Sequence, residues 1–197
     1  YLKVAKELTK SRMRGAKFLD KAMKLELPSL KMEKAVFETK IMTTPLGPHG
    51  NENVTFCVST NIDSPPRPIA KIASGGEISR LLLALKVCLS ASEDSRIVVF
   101  DEIDRGVGGA TADAVGRRLQ ELGKRSQALV ITHSPQVAAF ANRHFCVTKH
   151  LIDGRTLSRV TQLNENDRVS EIARMISGNK VTSEALAAAN ALIFPAE

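Results

Sequence analysis

The sequence has few cysteines and no long hydrophobic run, and both absences exclude classes of protein. Its three cysteines, Cys57, Cys88 and Cys146, are widely spaced and odd in number, which argues against a disulfide framework and predicts free thiols in a reducing compartment. The longest apolar stretch, residues 81–91, is interrupted by Lys86 and is shorter than the roughly 18 residues of a membrane span. No basic, apolar and small-residue order at the N-terminus suggests a secretory signal. We therefore expect a cytoplasmic protein without a membrane partner.

A second absence concerns nucleotide binding. No G-x-x-x-x-G-K-S/T motif occurs, because Gly75, Gly106, Gly109 and Gly123 all lack that context. A loop of this kind, with its lysine, cradles the phosphates of a bound nucleotide. The sequence therefore lacks one element that is needed to hold a nucleotide within a single chain.

Positive charge is concentrated at the start of the chain. The formal net charge is +7, and residues 1–40 hold eleven Lys or Arg against five acids, which leaves +6 in that part and a nearly neutral remainder. A basic arm beside a neutral body is compatible with phosphate contacts to nucleic acid, and Lys17, Lys21 and Lys24 are the candidate DNA contacts. A solvated helix face explains the same charges equally well.

Hydrophobic spacing predicts a helix and then strands in the first third of the chain. Apolar residues three to five apart predict a helix over residues 1–27, which Pro28 ends. Residues 35–41 and 54–60 are predicted strands. Turn-forming residues fill the link at 43–53 and the stretch at 61–68.

From residue 77 onward, predicted helices and strands alternate. The pattern predicts strands over 96–100 and 128–132, a hairpin around Asp153 and Gly154, and helices over 77–91, 110–123, 167–177 and 183–193. Continuous apolar strands between helices are typical of a parallel sheet that is covered on both faces. We expect an α/β fold with a mostly parallel sheet flanked by helices and an antiparallel portion in the first half.

Two carboxylates follow the strand IVVF at residues 97–100. Ligands bind at the carboxyl ends of strands in α/β sheets, where Asp101 is placed to hold Mg²⁺ directly or through water. Glu102 is placed to orient or deprotonate a water that attacks a phosphate. The alternative is an ordinary strand that runs into an acidic turn.

The next apolar strand runs into His133. If the two strands are parallel neighbours, His133 lies at the same sheet edge as the acidic pair, where a neutral imidazole can contact a γ-phosphate or hold a water. A histidine at a strand end is more often a structural group. Ser134 does not lie in a G-x-S-x-G elbow, so a hydrolase of that kind is excluded.

The stretch Ser74-Gly75-Gly76-Glu77 precedes the predicted helix 77–91. Backbone N–H groups at a helix N-terminus form a ready anion site. Serine at the N-cap with glutamate three residues later also matches a capping box, which explains Ser74 and Glu77 but not the two glycines. Two adjacent glycines are expected where something must approach the backbone closely.

Together, these stretches resemble the ATP-binding-cassette ATPases. Residues 74–80 (SGGEISR) are similar to the signature motif, 98–104 (VVFDEID) to the Walker B strand, 105–113 to the D-loop region and 131–134 (ITHS) to the switch histidine. Within that superfamily, the chain most resembles the C-terminal part of the RecN family of bacterial DNA double-strand-break repair proteins, which are related to SMC proteins. The resemblance is densest over residues 69–151.

The resemblance implies that the chain is one lobe of an ATPase head. Residues 28–197 would form the C-terminal lobe, and residues 1–27 would end a returning coiled-coil arm. An N-terminal lobe would supply the P-loop, and two heads would form a homodimer around sandwiched ATP and act on DNA ends, single- or double-stranded. A complete head would then be an ATPase, whereas this chain alone would be inactive.

The same resemblance assigns roles to individual residues. Asp101 would hold Mg²⁺, Glu102 would be the catalytic glutamate, and His133 would be the switch histidine. Residues 74–77 (Ser74, Gly75, Gly76 and Glu77) would complete the ATP site of the second head. The D-loop region from Asp104 to Gly109 lacks the serine and leucine of transporter cassettes, and the sequence leaves the roles of Arg80 and Arg105 open.

Two other functions compete with this interpretation. Residues 101–104 match the acidic box of DExD helicases, although SGGE ahead of the acidic strand and the missing arginine-rich motif argue against a helicase. The third possibility is a DNA-binding scaffold without catalysis, in which the basic helix is the working part. Replacing Glu102 and reversing the charge of the helix lysines would discriminate these functions.

Overall fold

A computed structural model describes residues 1–61, 64–72, 74–90, 97–101, 103–152, 155–178 and 180–195. The chain divides into two compact units, Tyr1–Arg96 and Ile97–Glu197. Glu102 and the turn predicted at Asp153 and Gly154 lie outside the described residues. Within the described residues, no helix is long and apolar enough to cross a membrane.

The first unit consists of a long helix, an antiparallel sheet and a second helix. Its elements in chain order are α1 (Leu2–Glu26), β1 (Val36–Gly47), β2 (Gly50–Ser59), β3 (Arg67–Pro68) and α2 (Gly75–Ser90). The sheet order is β1-β2-β3, and both strand pairs are antiparallel. The predicted helix over 1–27 is confirmed, while its separation from the rest as an arm stays a prediction.

Polar bonds tie α1 to the β1–β2 hairpin. One carboxylate oxygen of Asp20 accepts hydrogen bonds from the backbone N–H of Thr39 at 2.9 Å and from its hydroxyl at 2.7 Å. Arg12 Nη1 donates to Glu52 Oε2 at 2.9 Å. Leu19 and Met23 of α1 are buried on the same helix. These contacts fix one side of α1.

The hairpin of the first unit is longer than the sequence predicts. The stretch 43–53 was expected to be turn throughout, but β1 continues to Gly47 and β2 begins at Gly50. The register shifts between Thr43 and Gly47, so the strand passes Pro45 at an irregularity. A proline is tolerated there because a bulge does not need its missing N–H.

The second unit holds a parallel strand pair, a hairpin and four helices among its described residues. They are β4 (Ile97–Asp101), α3 (Gly109–Gly123), β5 (Gln127–Ile131), α4 (Pro135–Ala139), β6 (Phe145–Ile152), β7 (Arg155–Gln162), α5 (Glu165–Ser177) and α6 (Ser183–Ile193). β4 pairs with β5 in parallel, and β6 with β7 antiparallel. Helices α5 and α6 pack on α4 around buried Ile172 and small alanines.

The predicted mixture of parallel and antiparallel strands is confirmed, with a smaller parallel share than expected. Only β4 and β5 are parallel among the described strands. Among the described residues of the second unit, nothing covers one face of this pair, whose four apolar side chains are 47–68% exposed: Ile97, Val99, Leu129 and Ile131. The residues between them, such as Phe100 at 1% exposed, point to the covered side.

None of the three cysteines, all of which the structure describes, forms a disulfide. Cys57 is buried, whereas Cys88 and Cys146 are half-buried. Burial raises the pKa of the Cys146 thiol, and the neighbouring Glu171 carboxylate adds to the effect. A neutral thiol is a weak nucleophile, so Cys146 contributes packing more than reactivity.

Candidate functional site

The second unit brings the acidic strand end and the histidine to one edge. In the parallel register Asp101 lies opposite Ile131, so both strands end at the same level. Asp101 is exposed there, directly after the buried Phe100. His133 follows β5 by two residues, and its side chain is 76% exposed. The predicted parallel pairing of these strands is therefore confirmed, while the roles of Asp101 and His133 stay predictions.

Asp104 holds the residues around His133 in place. Its side chain is fully buried, and Oδ2 accepts hydrogen bonds from the backbone N–H of Ser134 at 2.9 Å and of His133 at 3.2 Å. The Thr132 hydroxyl donates a further short bond to the same oxygen. The sequence places Asp104 in the D-loop region without assigning it a function. The sequence feature that could have identified Asp104 is its position three residues after Asp101. Since Asp101 and Ile131 end the paired strands at the same level, Asp104 lies near residues 132–134.

Ser134 ends the turn and begins α4. Its hydroxyl oxygen accepts from the backbone N–H of Val137 at 3.4 Å, as an N-cap does, with Pro135 at the first helical position. Ser134 Oγ also donates to Gln136 Oε1 at 3.0 Å. This serine is a buried helix cap, which agrees with excluding a hydrolase nucleophile.

The signature-like residues start α2 in the first unit. The helix begins at Gly75, so the glycines form its first turn and do not precede it. The Glu77 N–H lies 3.5 Å from Ser74 Oγ, and the Ile78 N–H donates to the Ser74 carbonyl at 3.1 Å. Ser74 therefore occupies the N-cap position, which is half of the predicted capping box.

The described residues around Gly75 give no steric reason for a glycine. A Cβ added there would meet nothing within 4 Å, and its φ is not positive. Alanine is a better helix former than glycine, so helix formation does not explain Gly75 either. Close approach of an external group to the backbone remains the reason that the sequence predicts.

Arg80, whose role the sequence left open, is a structural residue. Its Nη1 donates to the carbonyls of Leu30 and Lys31, both at 3.0 Å, and its Nε donates to the Gly76 carbonyl at 3.2 Å. Lys31 adopts a left-handed conformation with φ 58°, at the end of the 3₁₀ turn Leu27–Leu30. Arg80 therefore connects the first turn of α2 to the 3₁₀ turn Leu27–Leu30 by hydrogen bonds.

The three candidate DNA-contacting lysines share one face of α1. Lys17, Lys21 and Lys24 are spaced by four and three residues and are exposed. Buried Leu19 and Met23 lie on a different face of the same helix. Lys24 is also in the last turn, where a positive charge is favourable at the negative end of the helix dipole. The geometry is compatible with both a DNA contact and a solvated face.

In the second unit, a further polar cluster surrounds His144. Burial and the Arg168 guanidinium lower the pKa of His144, against the opposing effect of Glu171. A bidentate bond from Arg174, 2.7 Å at each oxygen, lowers the pKa of Glu171. The His144 side chain lines an open cavity of about 210 Å³ together with Arg168. In the described part of the chain, no three His, Cys, Asp or Glu side chains gather as metal ligands.

Relatives of this chain are proteins described as DNA repair protein RecN. The chain is 40% identical over 198 residues to RecN of Vibrio cholerae, which covers 100% of this chain and 36% of that protein. It is 43% identical to RecN of Rickettsia prowazekii, covering 99% of this chain and 35% of the relative. RecN of Xylella fastidiosa is 47% identical over 146 residues, or 74% of this chain and 26% of that protein. The chain thus spans about a third of the length of the first two relatives. No protein-family model matches it.

Solved structures identify the fold. The Smc head domain of Pyrococcus yayanosii, solved with a coiled coil and joint, superposes with a TM-score of 0.69 over 89% of this chain and 32% of that one, at 21% identity. A chain from work on ATP-driven dimerization and DNA-stimulated activation of SMC ATPases gives 0.62 over 87% of this chain and 98% of that one, at 20% identity. The predicted SMC-type fold is therefore confirmed.

Proposed function

We infer that the chain belongs to the RecN family and forms the C-terminal lobe of an SMC-type ATPase head that serves DNA double-strand-break repair, because essentially all of it aligns with about a third of each RecN protein. The identity of 40–43% over essentially the whole chain carries this proposal. The helicase alternative is not favoured by these relatives. We place the protein in the bacterial cytoplasm, in association with the nucleoid.

An N-terminal lobe is the first partner that we propose. Parallel sheets occur almost only with both faces covered. The bare apolar face of β4 and β5, formed by Ile97, Val99, Leu129 and Ile131, therefore fits a further layer that the head supplies. The relatives are about three times as long as this chain, which leaves room for a lobe that carries the P-loop. The first 27 residues would then be the end of a coiled-coil arm that connects the lobes.

The chemistry proposed is ATP hydrolysis in the assembled head. Asp101, exposed at the end of β4, offers a carboxylate oxygen of the kind that Mg²⁺ prefers, directly or through water. Bound Mg²⁺ would neutralise charge on the ATP phosphates. Glu102 would orient or deprotonate the attacking water, and His133 would contact the γ-phosphate.

The start of α2 is proposed to act on a second head. Ser74, Gly75 and Gly76 present a helix N-terminus, which attracts the charge of a phosphate. Glu77 forms part of the same turn. The open space around a Cβ at Gly75 supports this role, because none of the described residues occupies it. Two heads would in this way form a homodimer around sandwiched ATP.

The test is ATP hydrolysis by this chain alone and after mixing with an N-terminal lobe that carries the P-loop. We expect activity only in the mixture, and we expect Glu102→Gln to abolish turnover while nucleotide stays bound and the dimer persists. Ser74→Arg should block dimerization. Glu121→Gln, a surface glutamate of α3 paired with Lys124 at 2.7 Å, is the matched control and should retain full activity.

Other results of this hydrolysis test would each change the proposal in a different way. Hydrolysis by the chain alone would reveal a nucleotide site outside this proposal. A stable complex that never hydrolyses ATP would favour the scaffold function. Full activity in Glu102→Gln would remove this residue as the base.

DNA binding by α1 is tested through its salt dependence. Log affinity falls as log salt concentration rises, and each phosphate contact makes this slope steeper by about 0.9. Replacing Lys17, Lys21 and Lys24 by glutamine should therefore lower the slope by up to about 3 if all three contact phosphates. The control replaces Lys3, Lys6 and Lys10, which are exposed on the same helix and change the net charge equally. An unchanged slope would make the proposed patch a solvated face, and equal losses in both triples would mean that net charge and not this patch sets the binding.

A further inference from the structure

We propose that Asp104 is a positioning residue: its buried carboxylate anchors residues 132–134 and thereby sets where His133 stands at the sheet edge. The consequence of this anchoring for catalysis rests on the function proposed above. The anchoring itself rests on the contacts of the second unit.

Three donors converge on one oxygen of this carboxylate. The N–H groups of His133 and Ser134 lie 3.2 and 2.9 Å from Asp104 Oδ2, and the Thr132 hydroxyl completes the set. Two successive N–H groups directed at one acceptor require the backbone to turn at this point. The Thr132 hydroxyl oxygen in addition accepts from the Ser134 N–H at 3.0 Å. The stretch that leaves β5 is therefore held by side chains as well as by its own backbone.

The chain around Asp104 is shaped to direct its side chain inward. The Val107 N–H donates to the Asp104 carbonyl at 3.0 Å, which closes a tight turn. Gly106, the third residue of that turn, has φ 71°, a conformation that favours glycine. Ile103 is buried beside it at 5% exposed. This turn explains why a glycine follows at position 106.

The second carboxylate oxygen of Asp104, Oδ1, argues against a purely structural role for this residue. Asp104 is 1% exposed, and its Oδ1 has no hydrogen-bond partner among the described residues. A buried carboxylate with one unsatisfied oxygen is costly, and an apolar residue in such a place is often at least as stable. A costly group that binds the backbone of His133 fits a requirement for position.

The carboxylate also faces the imidazole of His133. Nδ1 lies 3.6 Å from Asp104 Oδ2, longer than a hydrogen bond but close enough for electrostatic attraction. A negative charge on that side favours the tautomer with its proton on Nδ1, which leaves Nε2 as an acceptor on the other side of the ring. Since the ring is 76% exposed, Nε2 is available to a group outside this chain.

The first readout is amide hydrogen exchange at His133 and Ser134, measured by NMR on this chain. Asp104→Ala should accelerate exchange at both amides by about tenfold or more, because their acceptor is lost. Asp104→Asn should restore much of the protection, since an amide oxygen can occupy the place of Oδ2. Thr132→Val keeps the carboxylate and removes one donor, so it tests the same anchor if Asp104→Ala does not fold. Asp113→Asn, an exposed carboxylate of α3 paired with Arg117, is the matched control and should change neither amide.

The second readout is steady-state hydrolysis by the reconstituted head. Asp104→Ala should lower kcat by about tenfold or more with KM nearly unchanged, because a displaced histidine acts on the reaction and not on nucleotide binding. Asp104→Asn should recover part of kcat. If Asp104→Ala only destabilised the protein, the fraction of active head would fall instead. At equal amounts of folded protein, Asp104→Asn would then show no recovery of kcat relative to Asp104→Ala.

The outcomes separate this inference from the proposed function. Unchanged exchange at His133 and Ser134 in Asp104→Ala would overturn the anchoring. Accelerated exchange with unchanged kcat would overturn the role in positioning a working histidine. If the unsubstituted head fails to hydrolyse ATP, the proposed function fails, and accelerated exchange would still support the anchor.

Discussion

Gly116 of α3 is the position where a single methyl group should do most damage. It is buried, and a Cβ built there lies 2.3 Å from Cδ2 of Phe140, with two further ring carbons at 3.0 and 3.2 Å. Carbon atoms in contact normally stand about 3.5–4.0 Å apart, so ring or helix must move by more than about 1 Å. Phe140 follows α4 directly and lies under the Arg117 guanidinium, 5.3 Å from the ring centre. Movement of the ring would therefore weaken its contact with the Arg117 guanidinium.

Two opposing energies decide the effect of Gly116→Ala. Overpacking of this kind costs about 1–3 kcal/mol. Alanine in a helix interior regains about 1 kcal/mol relative to glycine. Because a 2.3 Å approach belongs in the upper part of that range, about 2–3 kcal/mol, we expect a net loss of about 1–2 kcal/mol in the free energy of unfolding of the second unit. For a unit of about 100 residues, this corresponds to a decrease of about 5–10 °C in its melting temperature.

The assay is calorimetric unfolding with two glycine controls. Gly123→Ala ends the same helix and meets only Asn142 Oδ1 at 3.9 Å, so it should be neutral or slightly stabilising. Gly15→Ala in α1 meets nothing within 4 Å and should stabilise the first unit by about 0.5–1 kcal/mol. The two controls also assign each transition to its unit.

A double-mutant cycle identifies the cause. Phe140→Leu should cost less in the Gly116→Ala background than alone, because the smaller side chain relieves the clash. A Gly116→Ala variant as stable as the unsubstituted chain would refute the reasoning, since it would mean that α3 and α4 separate at negligible cost.

Two further predictions concern polar contacts in each unit. Arg80→Ala removes three hydrogen bonds to backbone carbonyls and should destabilise the first unit by about 2–3 kcal/mol in urea unfolding. Lys124→Ala, the control, loses one exposed ion pair and should cost less than about 1 kcal/mol. Equal costs of the two substitutions would contradict the structural role of Arg80. His144 has a folded-state pKa below its usual 6.5, so its contribution to stability is present above pH 6.5 and is lost as the pH falls towards the folded-state pKa. His144→Asn should flatten the dependence of the urea midpoint on pH in that window. A slope unaltered by His144→Asn would contradict the burial effect.

The local elements were predictable from the sequence because their signals are local. Apolar spacing predicted α1, and helix boundaries at α2, α3, α5 and α6 agree within about two residues. The β1–β2 hairpin was predicted too short because Pro45 and Gly47 were interpreted as turn residues. Only the pairing of the two strands, with its register shift, shows that they lie within a ladder.

The motif residues were also found from the sequence, because order along the chain is enough to recognise them. The parallel pairing of β4 and β5, which brings the level of Asp101 to that of Ile131, followed from two apolar strands between helices. Glu102 lies outside the described residues, and the roles of Asp101, His133 and residues 74–77 remain predictions.

What the sequence alone determined is the set of helices and strands, the motif segments and the absence of a P-loop, since these depend on residue type and spacing. The tertiary structure decided which polar side chains meet: Arg80 with the carbonyls of residues 30 and 31, and Asp104 with residues 132–134. Partners separated by 28 to 50 positions carry no mark of each other in sequence, because only the packing of buried surfaces brings them within hydrogen-bond distance. Among the described residues, the same packing leaves one apolar face of the parallel strands exposed, which supports the proposal of a further covering layer.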